Sequence, residues 1–580
     1  MNHQLTRSRT GILAIILLGV MAIFVLRLFY LQIIKHSEYV SLAQAGQQRS
    51  FTIPAERGKI YMMDGKTPVP VVLNQVVYTV VADPKTVEEG KRAEIIATLR
   101  EVAGGELSET AERRLANTKS RYEVLARGIT RTQAEKLKEK NFAGILLQRG
   151  TVRRYPEEQL AAQVLGFVNA EGKGQYGVEG GLDERLRGRD GLLKTVTDVR
   201  NVPLTLNKNN IRVAAKPGEQ MVLSIDRNIQ SYSEEALKRG LERARATEGS
   251  VLVMNPRNGQ VLAMANYPTY NPADYAKQKD GKVFVNTTAM TPFEPGSIVK
   301  AFSVATGIDK GVITPQSTYV NTDCTKVGDR TMCNALRGMN GTLTMQQALN
   351  NSLNVGMITI ARRLGDGTNI TLGARQTLHE YYHDKFGFGR ATDIELAEGT
   401  GFLARPDAPG AEVNYANITF GQGVNMTMLQ ASAAFCSIIN GGTYYQPTVV
   451  AGKLDEQGTL TPHTSVALRR TISERSSVTM RGMLTAARGA LVKGAPDRAG
   501  YEIGGKTGTA EALVNGTYTM DETVATYIGY GGANQPEYVI MVRVATPGKR
   551  LRLQGNADAA PIFTDISNWM IDYMKLAPKG

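Results

Sequence analysis

Three cysteines in 580 residues, with no C-x-x-C among them, leave neither a zinc ribbon nor a thioredoxin-type redox site to build. Histidine is nearly as scarce, with five in the chain. The glycines crowded into residues 169–191 (NAEGKGQYGVEGGLDERLRGRDG) match neither the dinucleotide fingerprint nor a P-loop, so phosphate cradling is not encoded there. No repeat or low-complexity tract interrupts the chain. Lys and Arg exceed Asp and Glu by 14, a balance that suits an anionic polymer or a membrane surface. Nucleic acid is not the expected partner, because no basic stripe interleaved with aromatics and no helix-turn-helix or zinc-finger spacing is present.

What is present begins at the amino terminus. Arg7 and Arg9 precede GILAIILLGVMAIFVL, sixteen residues without a charge, and after Arg27 the run continues as LFYLQII to Ile34. As helix these stretches span roughly 24 and 36 Å, against a hydrocarbon core of about 30 Å, and Arg27 can snorkel to the far interface. The positive residues before the span keep residues 1–10 in the cytoplasm, with 11–34 as the anchor and everything beyond 35 exported. A cleaved signal peptide is the rival reading, since Ala43-Gln44-Ala45 has the pattern of a cleavage site. Arg27 and the long gap to that site oppose it.

At this length two or three domains are expected, and 42% hydrophobic against 21% charged residues fits a folded protein. Residues 35–215 mix strand-like runs (QVVYTVVADP, GILLQRGTV) with charged helical pieces (RTQAEKLKEK), an extended pedestal without a catalytic constellation. A change comes near Gly218, opening a domain over 216–580. MVLSIDRNIQSYSEEALKRGLERARA predicts a strand and a long amphipathic helix, and VLVMNPRNGQVLAMANYP a hairpin. Helices fill much of 297–440. Strands return at YEIGGKTGTA, VATYIGY and EYVIMVRVAT, and PIFTDISNWMIDYMKLA closes the chain as helix. The fold class is α+β, with the sheet assembled from both ends of the segment.

FEPGSIVK places Ser297 at a helix N-terminus after the Pro295-Gly296 turn, where free backbone N–H groups favour developing negative charge. Lys300 falls one turn on, within reach of the Ser297 hydroxyl. A serine needs a base before it is nucleophilic, and a lysine serves only when burial or a neighbouring cation lowers its pKa. Alone the pair reads equally as solvated helix surface. Ser352 and Asn354 follow 55 and 57 residues later in NNSLNVG, and Lys506-Thr507-Gly508-Thr509 lies in YEIGGKTGTAEA. Each alone is a helix cap or a strand-edge solubiliser. Gly504, Gly505 and Gly508 are expected where a substrate backbone lies against a sheet edge. S-x-x-K, S-x-N and K-T-G in this order are the motif set of penicillin-binding proteins and β-lactamases.

From about residue 25 to 575 the chain resembles a class B penicillin-binding protein, a membrane-anchored peptidoglycan D,D-transpeptidase. RLFYLQ, AERGKI, VADPK, RRYPEEQLAAQVLGFV and GVEGGLDERLRG carry the likeness in the pedestal. SIDRNIQ, FEPGSIVK, NNSLNVG, KFGFGRATDI and GGKTGTA carry it in the catalytic region. The resemblance implies a transpeptidase/β-lactamase-like domain, an antiparallel sheet with helices on both faces and a helical subdomain, behind a dimerisation-type pedestal. It implies Ser297 as the acylated nucleophile, Lys300 as its base, Ser352 as proton relay to the leaving D-alanine and Asn354 as holder of the acyl-side amide. Lys506 adds positive potential, Thr507 and Thr509 bind the terminal carboxylate beside Gly508, and the N–H groups of Ser297 and Thr509 form the oxyanion hole. No metal or cofactor is implied. The expected partners are peptidoglycan stem peptides, a polytopic glycan-strand polymerase, division proteins and β-lactams as inhibitors. VVYTVVADPKTV is more similar to the septal, cell-division type than to the side-wall type. Two stretches depart from the family: Met62-Met63-Asp64-Gly65 after RGKI, and VATYIGYGGANQPEY after K-T-G.

A competing motif is HEYYH, the H-E-x-x-H of zinc metalloproteases at His379, Glu380 and His383. A third ligand is missing from its sequel, because Glu395 and Glu398 follow only after a loop-like stretch. Cys324 and Cys333 flank a polar loop. A disulfide and two free thiols are both compatible with that spacing.

Overall fold

The computed structural model describes residues 9–39, 48–196, 211–491, 496–514 and 517–579. They form two compact units, one from 1–57 with Arg187–Gly218, the other from Gly58–Leu186 with Glu219–Gly580. In the first, a helix Arg9–Phe29 continues through a wider turn, Tyr30–Ile34. Gly11–Ile34, 24 residues, is the one helix among the described residues long and apolar enough to cross a membrane. Its side chains are exposed nearly throughout. Gln48–Ile53, Gly191–Val196 and Ile211–Val213 form a separate antiparallel sheet. The Ala43–Ala45 motif lies outside the described residues.

The second unit is built on a five-stranded antiparallel sheet. Strand β1 (Glu248–Met254) and β2 (Val261–Tyr267) form the expected hairpin, joined through Gly259 at φ 77°. Strands β3 (Glu502–Val514), β4 (Thr517–Gly532) and β5 (Pro536–Ala545) come from the far end of the chain, and the order is β2-β1-β5-β4-β3. These strands are apolar on both faces because both faces are covered. Val251, Val253, Ile540 and Val542 pack on one side against helices α1 (Arg227–Ala244) and, at the chain end, Ala560–Tyr573. Leu252, Met254, Val539 and Met541 face the other way, into the core of α2 (Val299–Asp309), α3 (Asn354–Arg363) and α4 (Met428–Ile439). The period of two in strand side chains sorts alternate residues into the two cores. Burying each such side chain contributes about 1.5–3 kcal/mol.

The strand Gln220–Asp226 lies parallel to Ile60–Asp64 in a second sheet that also holds Thr67–Ala82, Glu123–Ile129 and Ile145–Arg154. That sheet runs across the boundary expected at residues 215 and 216. Asp226 is one reason: its carboxylate caps α1 at Asn228 N and Ile229 N and also accepts from Gly65 N and the Tyr573 hydroxyl. The departure at Met62-Met63-Asp64-Gly65 is a tight hairpin turn, with Gly65 at φ 61° and Met62 buried.

Candidate active site

Ser297 sits in a single tight turn, Gly296–Ile298, that leads directly into α2. Gly296 has φ 63°, and a Cβ there would come within 2.7 Å of the Thr509 carbonyl. Glycine is required because this turn is pressed against β3. The same closeness explains Gly508, where a side chain would meet the Pro295 carbonyl at 2.6 Å. Gly504 and Gly505 make room for the rings of Tyr530 and Tyr527. The expectation that these glycines admit a substrate backbone is therefore corrected: they admit the protein's own turn and its own tyrosines.

Lys300 is one turn beyond Ser297 and almost wholly buried, at 1% exposure. Its Nζ donates to the Ser352 carbonyl at 2.6 Å and lies 3.0 Å from Ser352 Oγ. Among the described residues no hydrogen bond joins Lys300 to Ser297, so the expected direct pair is replaced by a contact to Ser352. Ser352 takes a left-handed φ of 54°, rare for a residue with a side chain and costing on the order of 1 kcal/mol. Lys506, 2% exposed, reaches the same hydroxyl from β3 at 3.1 Å and donates to the Thr507 carbonyl at 3.0 Å. Burial first, and then the Lys506 charge, hold the Lys300 amine well below the ordinary lysine range. Burial brings Lys506 down to about 7.

Asn354 opens α3, and its Nδ2 donates to the Cys333 carbonyl at 2.8 Å. One of its two amide hydrogens is thereby spent, leaving the other and the oxygen free. Cys333 is disulfide-bonded to Cys324 across the hairpin Cys324–Val327/Arg330–Cys333, which answers the question the spacing left open. Cys436 is free and buried. On β3, Lys506, Gly508 and Ala510 are buried whereas Thr507, Thr509 and Glu511 face outward.

Several neighbours of the site were not legible from motif spacing. The Gly421 carbonyl accepts from Gly296 N at 3.2 Å, Gly423 N donates to Glu294 Oε1 at 3.1 Å, and Thr526 Oγ1 donates to the Pro295 carbonyl at 3.2 Å. The one signal was Glu294 itself, inside FEPGS. HEYYH does not assemble a metal site. His379 Nδ1 is 2.8 Å from the Tyr415 hydroxyl, His383 Nδ1 is 2.8 Å from Asp384, and Lys385 pairs with Glu380. Among the described residues no three His, Cys, Asp or Glu side chains are grouped to hold an ion.

Residues 249–568 match the family described as the penicillin-binding protein transpeptidase domain. The chain belongs to this family. Residues 52–223 match the penicillin-binding protein dimerisation domain. Among curated relatives, stage V sporulation protein D of Bacillus subtilis is 28% identical over 98% of this chain and 87% of its own length. The probable peptidoglycan D,D-transpeptidase PenA of Neisseria meningitidis is 25% identical over 98% and 94%. Of solved structures, penicillin binding protein 2X of Streptococcus thermophilus superposes with a TM-score of 0.71 at 22% identity, covering 91% of this chain and 80% of that one. Penicillin binding protein 3 of Mycobacterium tuberculosis, complexed with aztreonam, gives 0.68 at 23%, covering 91% and 98%. At these identities the structural likeness speaks to the fold, which is that of the penicillin-binding transpeptidases.

Proposed function

We propose that the chain cross-links peptidoglycan stem peptides through an acyl-enzyme on Ser297, the serine-type reaction of its family. The observation that carries this is the Lys300–Ser352–Lys506 triangle: two buried amines on one hydroxyl, beside the turn that holds the serine. A neutral lysine has two N–H groups and one lone pair. One N–H is committed to the Ser352 carbonyl, and the lone pair takes the Ser297 proton as its Oγ attacks the D-Ala-D-Ala carbonyl. The N–H groups of Ser297 and Thr509 hold the resulting oxyanion. The C–N bond then breaks, the proton passes through Ser352 to the departing D-alanine amine, and the acyl group stays on Ser297. An acceptor amine attacks the ester, gives up its proton by the same route, and restores the serine. Asn354 holds the acyl-side amide, while Lys506, Thr507 and Thr509 hold the terminal carboxylate.

Purified protein is expected to release D-alanine from a D-Ala-D-Ala donor and to join that donor to an added amine, with no loss on chelation. Absence of release, or full activity in Ser297→Ala, would overturn the assignment.

The helix Gly11–Ile34 supports a single-pass anchor, and the arginines before it support a catalytic domain outside the cytoplasm. A glycan-strand polymerase and division proteins are its proposed partners, in septal synthesis. Depleting the protein is expected to give filaments with unfinished septa. Rounded cells would assign it to side-wall elongation.

A further inference from the structure

We infer that Glu511 selects donors whose third stem residue carries a free side-chain ammonium, an inference that rests on the acyl-enzyme reading above. Thr507, Thr509 and Glu511 share the outward face of β3, and β3 is the edge strand of the sheet. With the donor's terminal carboxylate held at Thr507 and Thr509, and its scissile carbonyl beside Ser297, the rest of the donor has one way to run: past Thr509. Strand residues rise about 3.4 Å each, so Glu511 stands roughly 7 Å further on, where the side chain preceding the D-Ala pair falls. Glu511 is partly buried and makes no ion pair or hydrogen bond among the described residues. Glu294, three residues before Ser297 and fixed by Gly423 N, adds its charge at the same end. Burial and then Glu294 hold the Glu511 carboxyl above its usual range, the environment an ammonium relieves. The cleft thus carries opposite charge at its two ends: the Lys506 ammonium where the donor terminates, carboxylates where it enters.

The test compares two donor peptides ending in D-Ala-D-Ala, one with lysine and one with norleucine at the third position, read as D-alanine release by the full-length protein without acceptor. Wild type is expected to favour the lysine donor about tenfold in kcat/KM, less at high salt. In Glu511→Gln the ratio falls near one, and in Glu511→Lys below one. No preference in wild type, or a preference that survives Glu511→Gln, overturns the inference. A preference seen only in partitioning toward an added amine also overturns it, because the carboxylate then serves the acceptor. Penicillin labelling in parallel separates the two claims. A protein that takes no label has lost the acyl-enzyme reading, whereas one that labels without discriminating between donors has lost only this inference.

Discussion

Replacing Ser297 by alanine is expected to lower covalent labelling by a fluorescent penicillin at least about a thousandfold, with the fold intact. A strained lactam presents the amide that D-Ala-D-Ala presents, and only a side chain able to open it can retain the fragment. Ser297 sits where the tight turn, the start of α2 and the edge strand β3 converge. Its backbone N–H stands at a helix start and the carbonyl before its turn is tied to Thr526, so the alanine variant loses a hydroxyl and little packing. Circular dichroism and thermal unfolding should therefore match wild type. Mapping the labelled peptide decides the matter. A label on Ser352, or full labelling of Ser297→Ala, would mean that the serine joined to both lysines is the nucleophile.

The second expected result concerns the two lysines. Both bond Ser352 Oγ, at 3.0 and 3.1 Å, so the amines stand no more than about 6 Å apart. At an effective dielectric near 20, that separation costs roughly 3 kcal/mol for two charges, about two pH units. With Lys300 as the proposed base, acylation is expected to rise with pH through the depressed Lys300 pKa. It is expected to fall again as Lys506, at about 7, loses the charge proposed to hold the donor carboxylate. Lys506→Met keeps the burial and removes the charge. Without that repulsion the Lys300 pKa rises, so the rising limb moves to higher pH by about one to two units and the falling limb disappears. Lys300→Arg keeps a positive charge that cannot be given up, and acylation should drop by about a thousandfold or more. A rising limb that stays in place in Lys506→Met would show that desolvation alone, the larger cause, sets the Lys300 pKa.

Much of this was readable without coordinates, for local reasons. The chain's strand and helix periods announced the β1–β2 hairpin, α1 and the closing helix, because side-chain direction repeats every two or 3.6 residues whatever the chain does elsewhere. The length of the apolar run announced the candidate anchor. Ser297, Lys300, Ser352, Asn354 and Lys506 were picked out as candidates by the order of three short motifs and the family resemblance those motifs carry. Tertiary structure alone decided what they touch. Lys300 bonds Ser352 across 52 residues and Lys506 bonds it across 154, distances at which no sequence period operates. The glycines of β3 were expected to face substrate, yet they face Pro295 and two tyrosines, because how closely a turn approaches a strand depends on the packing of the whole sheet. The pairing of Cys324 with Cys333 likewise required the register of their hairpin, and the tie from Cys333 to Asn354 required that hairpin to be folded onto α3. A carboxylate at position 511 was visible in the sequence. That it shares a face with Thr507 and Thr509, without an ion pair among the described residues, follows only once β3 is an edge strand whose other face is buried.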